Sequence, residues 1–121
     1  MITKTVLLPC AVDVAFRLFS ERIDEWWPPE RRHAPEPSVV MLDAHRFAEQ
    51  GADGVLVELG VVRAWAPPER ILLDWYPGTD PEHPTEVEIL FLREGEKTRL
   101  ELRHRAGPNS GDLFPSTISP L

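Results

Sequence analysis

The hydrophobic period of this chain changes once, and that change limits the fold more than any other feature. Val12, Ala15, Phe16 and Phe19 recur at the i, i+3, i+4, i+7 spacing of an amphipathic helix. Beyond Pro37 apolar and polar residues alternate, as they do along strands with one buried face. A chain that is helical early and alternating later folds as α+β, with an antiparallel sheet and its helices near the N-terminus.

The detailed reading follows from that switch. Residues 2–8 form a first strand, which Pro9 ends because it has no N–H for a ladder. Asp13 suits the first turn of the helix. A short second helix covers 22–27 until Pro28-Pro29 stops it, and 28–37 is a polar, Pro-rich surface loop. Strands are expected over 38–42, 45–49, 55–65, 70–76, 86–92 and 98–104. Turns fall at Gly51–Gly54, at Pro67-Pro68-Glu69 and at Glu94–Lys97, and Gly60 marks a bulge. On one sheet face lie Ile71, Leu73 and Trp75, then Val87, Ile89 and Phe91, then Leu100, Leu102 and His104. A one-residue slip would turn all of them to water, so the register is well specified.

Two short helices leave much of such a sheet uncovered. The segment after residue 107 holds Gly and Pro at 107, 108, 111, 115 and 120 and has no helical period. It cannot supply a long covering helix. The domain is therefore placed at 1–107, with an irregular tail at 108–121.

Composition excludes several classes of function. The 13 Lys and Arg residues face 20 Asp and Glu, a formal net charge of −7. A chain of that sign supplies no counterion-release drive for nucleic acid. The basic clusters Arg31-Arg32-His33 and Arg103-His104-Arg105 are too local to reverse this, and the first reads as solvated loop. The single cysteine, Cys10, excludes an intrachain disulfide and fits a reducing, cytoplasmic setting. No signal peptide opens the chain, and no apolar run approaches the ~20 residues of a membrane span. The four histidines and Cys10 lack the spacing of metal ligands, so neither metal nor other cofactor is expected. No nucleophile elbow or phosphate loop is visible.

The order of elements resembles the helix-grip fold of the SRPBCC superfamily, which includes the birch-pollen allergen and START lipid-transfer domains. Within it, the chain resembles homologues of the activator of the heat-shock-protein-90 ATPase. The residues that carry this are Pro9, Phe16 to Phe19, Trp26-Trp27, Gly60-Val-Val-Arg-Ala-Trp-Ala-Pro-Pro-Glu-Arg70, Leu73-Asp-Trp75, Thr85-Glu-Val87 and 98–104. They span about residues 2–107. Two departures stand out: Asp43-Ala44 replaces a Gly-rich turn, and the family's long closing C-terminal helix is missing.

The resemblance implies a curved antiparallel sheet and a cavity for a small hydrophobic ligand on its apolar face. Candidate lining residues are Phe16, Phe19, Trp27, Phe47, Trp75, Phe91 and His104. Against this stand bland roles: one Trp of the 26-27 pair in the core and the other over the helix end, and His104 as a satisfied core histidine. His45 is a second polar candidate, whereas His33 and His83 read as solvated. An alternative is a protein-interaction or co-chaperone domain of the stress response, complete as a homodimer whose partner copy covers the sheet. A third is a cyclase or hydrolase using His104 or His45, for which no catalytic constellation is apparent.

Overall fold

The computed structural model describes residues 1–32, 34 and 36–107. The tail expected at 108–121 lies outside the described residues, as does His33. Strand β1 (Ile2–Leu8) leads into helix α1 (Val12–Glu21), the single-turn α2 (Ile23–Trp26) and a 3-10 turn at Pro29–Arg31. Six strands follow: β2 (Val39–Asp43), β3 (Arg46–Gln50), β4 (Leu56–Ala66), β5 (Arg70–Trp75), β6 (Thr85–Glu94) and β7 (Lys97–Arg105). They form one antiparallel sheet in the order β1-β7-β6-β5-β4-β3-β2. This is the expected α+β helix-grip arrangement, with strand ends shifted by a residue or two from the alternation pattern.

The order places the first two strands at opposite edges, and β1 closes against β7 with Ile2 opposite His104 and Leu8 opposite Thr98. Helix α1 touches β2 at one edge and β6 and β7 near the other. A flat sheet could not reach one helix from both sides, so the sheet curls around α1 as a half-barrel. The concave face carries the core: Phe16 from α1, Trp27 after α2, Val40, Leu42, Phe47, Ile71, Leu73, Trp75, Val87, Ile89 and Phe91. The three triplets assigned to the apolar face by alternation all lie on it, with Leu100 half-buried.

Local chemistry explains the tight points. At the β2–β3 turn, Asp43 Oδ1 accepts the His45 N–H at 2.8 Å, an Asx turn that needs no residue at positive φ. That is how Asp43-Ala44 turns the chain without a glycine. At Gly60, beside the register shift between β3 and β4, a Cβ would overlap the Asp74 carbonyl oxygen. The glycine is there for close backbone approach.

The loop at 28–37 is more than solvated surface. Arg32, with its side chain only 14% exposed, donates to Asp24 Oδ1 at 2.7 Å, to the Asp24 carbonyl at 2.8 Å and to the Ser38 carbonyl at 3.0 Å. Asp24 Oδ1 also accepts the Val40 N–H at 2.9 Å. The expectation of a solvated Arg31-Arg32-His33 cluster is thus corrected at Arg32, because the loop needs a donor to hold α2 against β2. The fully buried Glu49 of β3 accepts the Ala34 N–H at 3.2 Å and ties the same loop to the sheet.

Candidate functional site

The seven side chains expected around a cavity meet in one aromatic network. Phe16 lies 5.2 Å from Trp65 and 5.0 Å from Phe91, and Phe91 lies 5.8 Å from Phe19. Phe19 stacks on Trp26 at 4.9 Å, and Trp26 leads to Trp27 at 6.3 Å. Trp27 contacts Phe47 and Trp75, and Trp75 meets His104 edge-on at 6.0 Å. Offset and edge-to-face contacts of this kind add to the stability gained from burial itself. Phe16, Trp27, Phe47, Trp75, Phe91 and His104 are all buried. Of the seven, Phe19 is the one that lines the space between the helices and β1.

That space is a groove of about 440 Å³ between the helices and the β1–β7 end of the sheet. Its floor is Lys4, Val6 and Leu8 of β1 with Leu100 and Leu102 of β7, and its wall is Ala15, Leu18, Phe19 and Trp26. The helices cover the β2–β6 part of the concave face and stop short here. Among the described residues, the apolar surface that the helices leave uncovered is confined to this one end of the sheet. Val6, Leu18 and Trp26 stay 51%, 41% and 36% exposed. The tryptophan pair divides as the bland reading had it, Trp27 in the core and Trp26 over the helix end; Trp26 is also a groove wall.

Lys4 and Val6 were not among the sequence candidates, although their signal is present. In Ile2-Thr-Lys-Thr-Val-Leu-Leu8, Lys4 is in phase with Ile2, Val6 and Leu8, so alternation puts it on the concave side.

His104 is enclosed beneath this region. Its Nε2 lies 2.7 Å from the Thr85 hydroxyl, which is 3.3 Å from the Trp75 carbonyl. Burial first, then the positive charges of Lys4 and of the chain's amino terminus, push its pKa down to about 4. The imidazole is neutral at physiological pH. It is fully buried and is not one of the described residues that line the groove. His45 is exposed in the β2–β3 turn, far in the strand order from the groove. His83 is held by Asp80, its Nδ1 2.8 Å from Oδ1.

The convex face has its own polar centre. Glu88 of β6 receives Arg70 at 2.7 Å and Arg105 at 2.6 Å, with Arg103 3.7 Å away. Burial works to raise the Glu88 pKa, but the hydrogen bonds and charges of Arg70 and Arg105 outweigh it and hold the carboxyl below its usual value. This accounts for the second basic cluster, whose arginines are held by carboxylates of the same face. Among the described residues no three His, Cys, Asp or Glu side chains gather as metal ligands. No described helix is long and apolar enough to cross a membrane.

Comparison with known proteins agrees with this geometry. Protein Ms6760 from Mycobacterium smegmatis superposes with a TM-score of 0.60 at 15% identity, over 89% of this chain and 74% of that one. The self-sacrificing resistance protein CalC from Micromonospora echinospora gives 0.59 at 20% identity, over 91% and 75%. An anthrahydroquino-gamma-pyrone synthase, Txn09, gives 0.56 at 25% identity, over 93% and 82%. No curated protein matches the chain. The family model described as "Activator of Hsp90 ATPase homolog 1-like protein" matches residues 12–115. With the helix-grip fold in place, the chain belongs to that family of the SRPBCC superfamily.

Proposed function

We propose that this protein binds a small hydrophobic ligand in the groove between α1, α2 and the β1–β7 end of the sheet. The observation that carries this is the groove itself, about 440 Å³ with eight apolar side chains among the nine described residues that line it. That volume lies within the range of roughly 300–1,000 Å³ typical of small-molecule sites. Phe19 makes direct contact with the ligand. Phe16, Trp27, Phe47, Trp75, Phe91 and His104 act behind it as a rigid backing that fixes the shape of the wall. The likeness to a protein named for making an anthrahydroquino-gamma-pyrone is compatible with an apolar ring system as ligand. Burying apolar surface at about 25 cal/mol per Å² provides the driving force.

Trp26 is the natural reporter, being partly exposed on the groove wall. Titration with a panel of lipids and aromatic polyketides should give a saturable change in tryptophan fluorescence. The change should vanish in Trp26→Phe and weaken in Leu18→Glu. A flat response across the panel would remove the reading.

One observation favours a second reading, a two-fold homodimer or a complex with a chaperone. β1 is an edge strand with Val6 and Leu7 half exposed, beside the open groove. Unprotected apolar edges invite pairing with another chain. Sedimentation showing a monomer across a hundredfold range of concentration would exclude the dimer.

A further inference from the structure

Lys4 breaks the pattern of its strand. The concave positions of β1 are Ile2, Lys4, Val6 and Leu8, and the convex ones include Leu7. A lysine turned inward while a leucine turns outward reverses the usual assignment, and such local reversals concentrate at functional sites. Lys4 is also the one charged side chain among the described residues that line the groove. It pairs across the ladder with Leu102, and the acidic residue of that stretch, Glu101, belongs to the opposite face. No carboxylate among the described residues pairs with Lys4, whereas most arginines of this acidic chain are in ion pairs. Its charge is felt beneath the groove, where it adds to burial in lowering the pKa of His104.

A long side chain can lay its methylenes on apolar surface and keep its ammonium at the water boundary. Lys4 is exposed, so its ammonium is available at the groove's edge rather than committed to the fold. An ammonium that no described carboxylate pairs, beside an otherwise apolar floor, is complementary to one kind of molecule, an apolar body ending in a single negative charge.

We infer that the ligand of the groove is an amphipathic carboxylate, its apolar body against Val6, Leu18, Phe19 and Leu100 and its carboxylate on the Lys4 ammonium. This rests on the ligand-binding function proposed above and names the chemistry of its ligand. The attraction is local, since the chain as a whole repels anions, and it weakens with added salt. A free carboxylate is the occupant, because a single lysine on an acidic protein gives little attraction to an anionic bilayer.

Three probes of equal chain length separate the terms: decanoate, decan-1-ol and decyltrimethylammonium. Each is titrated by calorimetry at low salt against the whole protein and against Lys4→Met and Lys4→Glu. Circular dichroism confirms that the variants are folded. The wild type should bind decanoate about tenfold more tightly than decan-1-ol, the size of one charge-assisted contact. Lys4→Met should abolish that preference while keeping decan-1-ol affinity, and Lys4→Glu should favour decyltrimethylammonium. Equal binding of decanoate and decan-1-ol by the wild type, or a preference that survives Lys4→Met, overturns the carboxylate assignment and leaves the apolar groove standing. Failure of all three probes to bind overturns the assignment together with the function beneath it.

Discussion

His104 is fully enclosed, with a pKa near 4 against an ordinary value of 6.5. Between those values the unfolded chain takes up a proton that the folded chain refuses. The associated stability is therefore fully present above pH 6.5 and is lost as pH falls toward 4. The full loss is on the order of 3 kcal/mol. Urea midpoints measured at pH 7 and pH 5 should differ in the wild type, and His104→Gln should flatten the difference. The sequence already placed this histidine on the apolar face, through its phase with Leu100 and Leu102. It did not reveal the Thr85 hydroxyl at 2.7 Å, because that contact joins strands whose register is set by the sheet. Gly60 is a second single-residue constraint, its Cβ position occupied by the Asp74 carbonyl. Gly60→Ala should cost about 1–3 kcal/mol or more as overpacking, read as a lower denaturation midpoint with the slope unchanged.

Of the two α-helices, α2 is the less able to stand alone, with four residues and no side-chain cap. A single helical turn has no independent stability, so tertiary contacts must hold it. Asp24 provides them, accepting from both Arg32 and Val40. Burial acts to raise the Asp24 pKa, but the Val40 N–H and the Arg32 guanidinium outweigh it and keep the value low. A carboxylate depressed in this way stabilises the fold above the ordinary carboxylate range, and the contribution is lost as pH falls through its folded value. Asp24→Ala should cost about 2 kcal/mol, since it leaves the Val40 N–H without its acceptor and the Arg32 charge with neutral acceptors in place of a carboxylate. Asp24→Asn, which still accepts from Val40, should cost less. A double-mutant cycle with Arg32→Ala should show strong coupling between the two positions. Sequence patterning reads Arg32 as solvated loop, because partners eight residues apart through a Pro-rich turn leave no periodic trace.

For the molecule as a whole, strand order predicts where the fold opens first. β5 and β6 are paired on both sides and carry fully buried Ile71, Val87 and Ile89. β1 and β2 are edges. Native-state hydrogen exchange should therefore find the slowest amides in β5 and β6 and the fastest sheet amides in β1 and β2. Uniform protection across all seven strands would contradict this. A ligand held in the groove would bridge α1, β1 and β7, so its binding should slow exchange in β1 selectively. That readout needs no change in fluorescence and bears on the groove directly.

Alternation and helical spacing, both properties of neighbouring residues, determined the element order, the concave side of β5 to β7 and the α+β class. They also implied that two short helices could not cover the sheet. Where the gap falls was decided by the tertiary structure. Curling of the sheet lets α1 reach both β2 and β7, so among the described residues the helices hide most of the face and leave the β1–β7 end open. The same curl packs the large rings chosen from the sequence into the interior and brings Lys4, Val6 and Leu8 beside Leu18 and Trp26. Size and hydrophobicity made Phe47 and Trp75 look like a cavity wall; for the same reason they fill the core. Whether an apolar side chain meets its neighbours or open space depends on sheet curvature, which arises from contacts between strands far apart in the chain.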